Sequence, residues 1–467
     1  MDDRQCQYPP LEGRIGAEMV GHHHVPGHPC RGSQALDQVQ ADDGAHGWRF
    51  TDQAWWCFRK KAPTFGPRKQ NPEKMKRILL LCYLLAGGLV ALGQSLEQRL
   101  YDLPDVTFQR IEAPEGFAEA YELRIRQPVD HNDPSKGWFY QRVFLSHRGF
   151  DRPTVIVTEG YNRSQNRIYE PTELLQANQL DVEHRYFGAS VPDSLDYTFL
   201  TLEQATADLH HIRELFGQLY SGKWVSTGIS KGGQTTIFYR YFYPDDVDVS
   251  IPYVAPLNLE YEDTRIYDFL DTIGSDACRK KIFDLQVRLL KNRDKVLPLL
   301  RWYALGANLE FTYLTLEEAF EYAVLEYPFS FWQWGFDCAD IPDGSKLEDD
   351  LKHLMDVVGI AFYSDRDIEA YASHYYQAAT QMGYYGYKTE PFARWLKALP
   401  VHPHPHAAFV PGKMKVTFDG TLVHEVYDWL AEHGDRFIYL YGGIDTWSAT
   451  RVPESDKVDS VWFILEG

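Results

Sequence analysis

Short apolar runs alternate along the chain with stretches of helical spacing, and this alternation predicts most of the fold. Residues 121–127 and 138–146 alternate apolar and polar side chains. Pro128, Asp130, Asn132, Asp133 and Pro134 lie between them, so the pattern predicts an opening antiparallel pair. Residues 154–158 (TVIVT), 179–183, 224–227, 249–254 and 436–441 (RFIYLY) are short continuous apolar runs. Such runs suit strands covered on both faces. Helical spacing marks 201–220 and 234–242, the second stopping at Pro244. Buried strands interleaved with helices predict an α/β fold with a parallel, helix-flanked sheet.

Between residues 261 and 399 the strand signal almost vanishes. Leu285, Leu289, Leu290, Leu297 and Leu300 repeat at helical spacing, as do Leu316, Ala319, Phe320 and Ala323. Aromatics of an exposed type accumulate there, among them Phe329, Phe331, Trp332, Trp334, Phe336, Tyr375, Tyr376, Tyr384, Tyr385 and Tyr387. We read a helical insertion. His402-Pro403-His404-Pro405-His406 then reads as an extended linker back into the sheet rather than a metal-binding run, because proline favours extended backbone.

The first 93 residues differ from the rest. Residues 1–74 show no period. Met75-Lys76-Arg77, the apolar run 78–92 and the small-x-small ending Ala91-Leu92-Gly93 have the layout of a secretory signal peptide. Translation is therefore expected to start at Met75, with 1–74 a spurious or disordered extension and the mature chain beginning near Gln94. Cys82 lies inside the apolar run without small residues before it, so free export is expected over lipid anchoring. His22, His23, His24 and His28 fall in the aperiodic stretch, and no metal site is assigned to them.

Composition narrows the classes. The chain has 467 residues, 15% of them aromatic, enough to build a large core and exclude disorder throughout. Its net charge of −19 argues against nucleic-acid binding, which needs a basic face. Removing residues 1–93 takes away 12 basic and 9 acidic side chains and deepens the balance to −22. No apolar run reaches about 18 residues, which excludes a multi-spanning membrane protein. Of six cysteines only Cys278 and Cys338 lie beyond the signal region. In an oxidising compartment they are a candidate disulfide, and two buried thiols are the alternative.

The strongest chemical signal is Gly228-Ile229-Ser230-Lys231-Gly232-Gly233. It fits G-x-S-x-G between a predicted strand and a predicted helix, the setting of a nucleophile elbow. Ser230 is the candidate nucleophile, with the Lys231 amide as one oxyanion donor. The turn after TVIVT, Glu159-Gly160-Tyr161, offers the Tyr161 amide as the second, an ordinary glycine turn being the alternative. Asp445 follows a late strand and Gly442-Gly443-Ile444, where the acid of a Ser–Asp–His triad belongs. Its alternative role is a helix N-cap. Glu159, Glu170 and Glu173 are candidates for holding a substrate ammonium, or members of a solvated loop.

The run Glu183-His184-Arg185-Tyr186-Phe187-Gly188 resembles the EHRYFG-type motif of secreted serine exopeptidases of the prolyl carboxypeptidase and dipeptidyl-peptidase type. Gly228–Gly233, Tyr243-Pro244-Asp245-Asp246-Val247-Asp248 and Tyr253-Val254-Ala255-Pro256-Leu257 resemble the bacterial secreted tripeptidyl aminopeptidase family. Tyr441-Gly442-Gly443-Ile444-Asp445-Thr446-Trp447 is similar to its YG-x-x-DPW acid motif, with Thr446 at the usual proline. The resemblance spans about residues 105–467. It implies an α/β-hydrolase sheet with an inserted helical cap, no cofactor, peptide substrates, and release of short, tripeptide-sized units from free N-termini with a proline preference. It also implies a secreted or periplasmic enzyme, without membrane insertion once the signal is cleaved. The expected boundaries are 94–260 for the first part of the core, 261–400 for the cap and 401–467 for the second part. The family's histidine follows one strand after the acid. Here Val461 to Leu465 reads as that strand, and Glu466 and Gly467 close the sequence, so a C-terminally incomplete core is expected. Competing readings are an esterase or acylase on the same scaffold and a catalytically inactive peptide-binding homologue.

Overall fold

Nine strands form one mixed sheet in the order β1-β2-β3-β5-β4-β6-β7-β8-β9. They appear in a computed structural model that describes residues 94–400 and 402–466. The extension 1–74, the signal region 75–93, Cys82 and His22, His23, His24 and His28 lie outside the described residues. The described chain from Gln98 onward belongs to one unit.

The strands are β1 (Val106–Ile111), β2 (Glu119–Pro128), β3 (Trp138–His147), β4 (Thr154–Thr158) and β5 (Asn178–Val182). They continue with β6 (Trp224–Ile229), β7 (Val249–Tyr253), β8 (Ile438–Gly442) and β9 (Val461–Leu465). β1, β2 and β3 are antiparallel, and β3 joins β5 antiparallel. From β5 through β4, β6, β7 and β8 to β9 every pairing is parallel. β4 and β5 are buried along their whole length, as the apolar run TVIVT of β4 requires, whereas β5 (NQLDV) buries the polar Asn178, Gln179 and Asp181 as well. β1 adds a strand to the expected antiparallel pair. It is an edge strand whose burial fades at Gln109 and Arg110, so its sequence lacks a clear core face.

Parallel strands need crossovers, and helices Leu202–Gly217 and Lys231–Phe242 supply two of them. Thr201 caps the first by accepting the Gln204 N–H. The second follows β6 without a connecting loop. A Cβ on Gly232 would come within 2.5 Å of the Thr158 carbonyl oxygen, so glycine is what lets this helix close onto β4.

Between β7 and β8 the chain builds helices and turns, with one isolated bridge between Glu262 and Tyr384. The long helices are Asp276–Lys291, Arg293–Gly306, Leu316–Gln333 and Leu347–Val357. Thr315 and Glu318 close a reciprocal capping box at the start of Leu316–Gln333. One apolar core runs without a break from these helices into the sheet layer, including Ile237 and Phe238 below and Phe320, Tyr327 and Tyr375 above. A helical cap on an α/β-hydrolase sheet is thus the architecture. The aromatics read as exposed are mostly core: Phe329 is 2% exposed, Tyr375 1% and Tyr385 4%. Cys278 and Cys338 are bonded, with a Cα–Cα distance of 5.5 Å, tying one cap helix to the loop after another.

The His-Pro stretch is only partly the extended linker its prolines suggested. Helix Pro405–Phe409 begins inside it, with Pro405 at the first helical position, where a missing N–H costs nothing. No described helix is long and apolar enough to cross a membrane.

Candidate active site

β6 ends in the elbow. Ser230 has φ 55° and ψ −121°, a strained region for a residue with a side chain. Two backbone bonds hold it there. Its N–H donates to the Tyr253 carbonyl at the end of β7, and its carbonyl accepts the Gln234 N–H, both at 2.9 Å. A Cβ on Gly228 would lie 2.4 Å from the Gly232 carbonyl, so glycine is required where strand and helix nearly touch. The Ser230 hydroxyl makes no capping bond to its own helix.

Lys231 is buried against the turn after β4. Its amine donates to the Gly160 carbonyl at 2.6 Å and faces the rings of Tyr161 and Phe187. Burial holds that amine well below the usual lysine range. A Cβ on Gly160 would fall 2.6 Å from Lys231 Cβ, which explains the small residue there. Tyr161 packs edge-on to Phe187, Tyr371 and His374 at 5.5–5.7 Å between ring centres. Elbow, β4 turn and cap therefore meet at Tyr161. Burial, with help from the nearby Lys231, holds His184 well below its ordinary pKa, and its Nδ1 donates to the Arg185 carbonyl at 2.8 Å.

Asp445 sits in the turn after β8, two strands along from the elbow. One carboxylate oxygen accepts the Trp447 N–H at 3.1 Å, so the residue does cap the short helix Thr446–Thr450. That bond occupies one oxygen, and the other takes no protein donor among the described residues. Burial raises the group to about 7, against the lowering pull of the Trp447 N–H. Thr446 donates its hydroxyl to the Phe329 carbonyl of the cap at 2.9 Å. Trp447 packs on Phe329 and Tyr385 at 5.0 and 5.3 Å. The acid turn is thus clamped from above. β9 lies parallel beside β8, and the Gly443 N–H donates to the Leu465 carbonyl at 2.7 Å, so the end of β9 adjoins the acid turn.

Among the described residues no histidine hydrogen-bonds to Asp445. His424 lies 3.6 Å from Glu260, and His433 packs on Trp429, both on the helix before β8. The three candidate glutamates take different partners. Glu159 accepts from Arg163 and Tyr169, with buried Asp181 3.2 Å from the same guanidinium. Glu173 pairs with Arg148 at 2.7 Å and is half exposed. Glu170 accepts only the Tyr253 hydroxyl among the described residues, at 3.0 Å, on the strand end that anchors Ser230.

The sequence reading passed over Glu326. It is 4% exposed and accepts hydroxyls from Ser330, Tyr385 and Tyr387, each at 2.8 Å. Burial raises it to about 7 despite these donors. It positions Tyr385, which stacks on Phe329 at 4.0 Å and so reaches the Trp447 clamp. Its one sequence signal is that it is an acid within the apolar run 323–331. Phe329 and Tyr385 also form a wall of a cap cavity of about 300 Å³, lined further by Tyr267, Phe283, Trp332 and Tyr387.

The described residues hold no group of three or more His, Cys, Asp or Glu side chains placed to bind a metal. The chain is 33% identical over 369 residues to the prolyl tri/tetrapeptidyl aminopeptidase of Streptomyces mobaraensis, covering 78% of this chain and 77% of that one. It is 26% identical over 205 residues to the lysosomal Pro-X carboxypeptidase of Mus musculus, covering 39% and 41%. Among solved structures, a proline iminopeptidase of Mycobacterium smegmatis overlaps 73% of this chain and 90% of its own, at 11% identity and a TM-score of 0.35. The model of the PS-10 peptidase S37 family matches residues 93–462, and with a relative of this identity along most of its length the chain belongs to that family of serine peptidases.

Proposed function

We propose that the protein removes short peptides, of tripeptide size, from free N-termini through an acyl-enzyme on Ser230. The observation that carries this reading is the strained elbow at Ser230, set beside the Gly160–Tyr161 turn and two strands from Asp445. Ser230 attacks the scissile carbonyl, the Lys231 and Tyr161 amides receive the oxyanion, and Asp445 orients an imidazole that takes the serine proton. That imidazole belongs after β9, whose end adjoins the acid turn. Glu170 is the glutamate best suited to a substrate ammonium, because Glu159 and Glu173 are already paired with arginines. The aromatic cap cavity suits an apolar, proline-sized residue of the substrate.

We also infer export, with cleavage of the signal segment near Gln94. The bonded Cys278 and Cys338 support an oxidising compartment. N-terminal sequencing of the exported protein should begin near Gln94, and retention of Met1 would sink this.

The deciding experiment compares Ala-Ala-Pro-anilide, Pro-anilide and a short-chain ester as substrates, for this chain and for one extended beyond β9. The reading expects the tripeptidyl anilide to be favoured, the extended chain to be faster, and a fluorophosphonate to label Ser230. Preference for the ester favours an esterase or acylase. Peptide binding without turnover in both chains favours an inactive homologue.

A further inference from the structure

One side chain links the two expected oxyanion donors. Lys231 is 3% exposed, and among the described residues it forms no ion pair. Burying an unpaired amine is costly, and a leucine or methionine would fill the same space more cheaply. The amine makes one directed contact, its 2.6 Å bond to the Gly160 carbonyl. Burial favours the neutral amine, which still donates.

That carbonyl and the Tyr161 N–H belong to one planar peptide unit. No described peptide bond is cis, so the two groups point to opposite sides of the chain. Anchoring the carbonyl on one side aims the N–H at the other. The next peptide unit is held as well, because the Tyr161 carbonyl accepts the His184 N–H at 3.1 Å. Tyr161 N–H is given to no other protein group among the described residues, as a donor reserved for substrate would be.

We propose that the Lys231 side chain is a positioning group for the oxyanion hole: residue 231 supplies one donor through its own backbone and orients the Tyr161 donor through its amine. The proposal rests on the acyl-transfer reading of Ser230. Preorganised donors act on the charge that develops at the transition state, and removal of one costs about 100- to 1000-fold in kcat. Loss of orientation alone should cost less.

The test uses the full chain in its active form, with Lys231→Met as a stem-matched variant lacking the donor and Ser230→Ala as the background. With the tripeptidyl anilide, Lys231→Met should lower kcat roughly 10- to 100-fold and leave KM within about threefold. A peptide boronic acid, which forms a tetrahedral adduct on serine, should bind more weakly by a similar factor. Thermal unfolding checks the fold. If the methionine variant does not fold, Lys231→Gln, which keeps a terminal N–H donor on a shorter stem, should fall between wild type and the predicted loss. A kcat within twofold of wild type overturns the proposal. So does a rise in KM with lower thermal stability and no matching loss in boronate binding. A fall to the Ser230→Ala level also overturns it, in favour of a lysine that takes the serine proton. Wild-type turnover in Ser230→Ala would defeat the reading beneath it instead.

Discussion

Ser230 and Asp445 carry opposite kinds of cost. The serine carries backbone strain at φ 55°, and the aspartate carries a desolvated charge. Both costs fall on groups assigned to the chemistry, which is where a fold otherwise consistent with its local preferences is expected to break its rules. In the chain extended beyond β9, Asp445→Asn should keep the cap of helix Thr446–Thr450 through its remaining amide oxygen, yet lower kcat by about 10,000-fold, because the proposed imidazole loses its orienting charge. Steady-state kinetics on the tripeptidyl anilide measures this. Glu326 gives a separate prediction at the same scale. Its folded pKa is raised from 4.5 to about 7, so its contribution to stability is full below about pH 4.5 and is lost as pH rises through 7. Glu326→Gln has no such charge to lose. Between pH 5 and 8 wild type should therefore lose about 2.5 kcal/mol relative to the variant, read by urea unfolding at both pH values. A constant gap would show that Glu326 does not titrate in this window.

At the scale of elements, the elbow depends on backbone contact more than on side-chain packing. A methyl group on Gly232 meets a carbonyl oxygen of β4 at 2.5 Å, and no flexible side chain is there to yield. Gly232→Ala should cost about 3 kcal/mol or more in chemical denaturation and remove labelling of Ser230 by separating β4 from the helix. This part of the molecule was legible in the sequence, because short apolar strands, paired glycines and a serine between them leave few other solutions. β1 was not, since an edge strand with Gln109 and Arg110 buries too little to impose a period. Nor was the role of Glu326, because a lone acid on a helix reads as the solvent side until tyrosines from a distant segment supply its donors. The aromatics of 329–387 misled for the same reason: their burial comes from cap helices packing on one another, a long-range effect.

At the scale of the whole molecule, the cap and the sheet share one continuous apolar core. The cap cannot be treated as a detachable lid, since Phe329 and Tyr385 sit on the turn that carries the acid. The Cys278–Cys338 bond closes a sequence separation of 60 residues within it. A Cys278→Ser, Cys338→Ser double variant should lose up to about 4 kcal/mol of stability by loop-closure entropy. The loss should also appear as lower heat resistance of activity, because a loosened cap releases the Trp447 clamp. Unchanged inactivation temperatures would show that the cap core alone secures the acid turn.

The pairing of β7 with β8 sets the order in which Ser230 and Asp445 can be brought together. Tyr253 and Leu440 are register partners, although the entire cap lies between them in the chain. Closing so long a loop costs roughly 5 kcal/mol before any contact repays it. The elbow, by contrast, is made from β4, β6 and β7, which are near neighbours in sequence. During folding, Ser230 can therefore be poised well before Asp445 arrives. On the proposed reading of Ser230 and Asp445, hydrolytic competence is then among the last properties the chain acquires.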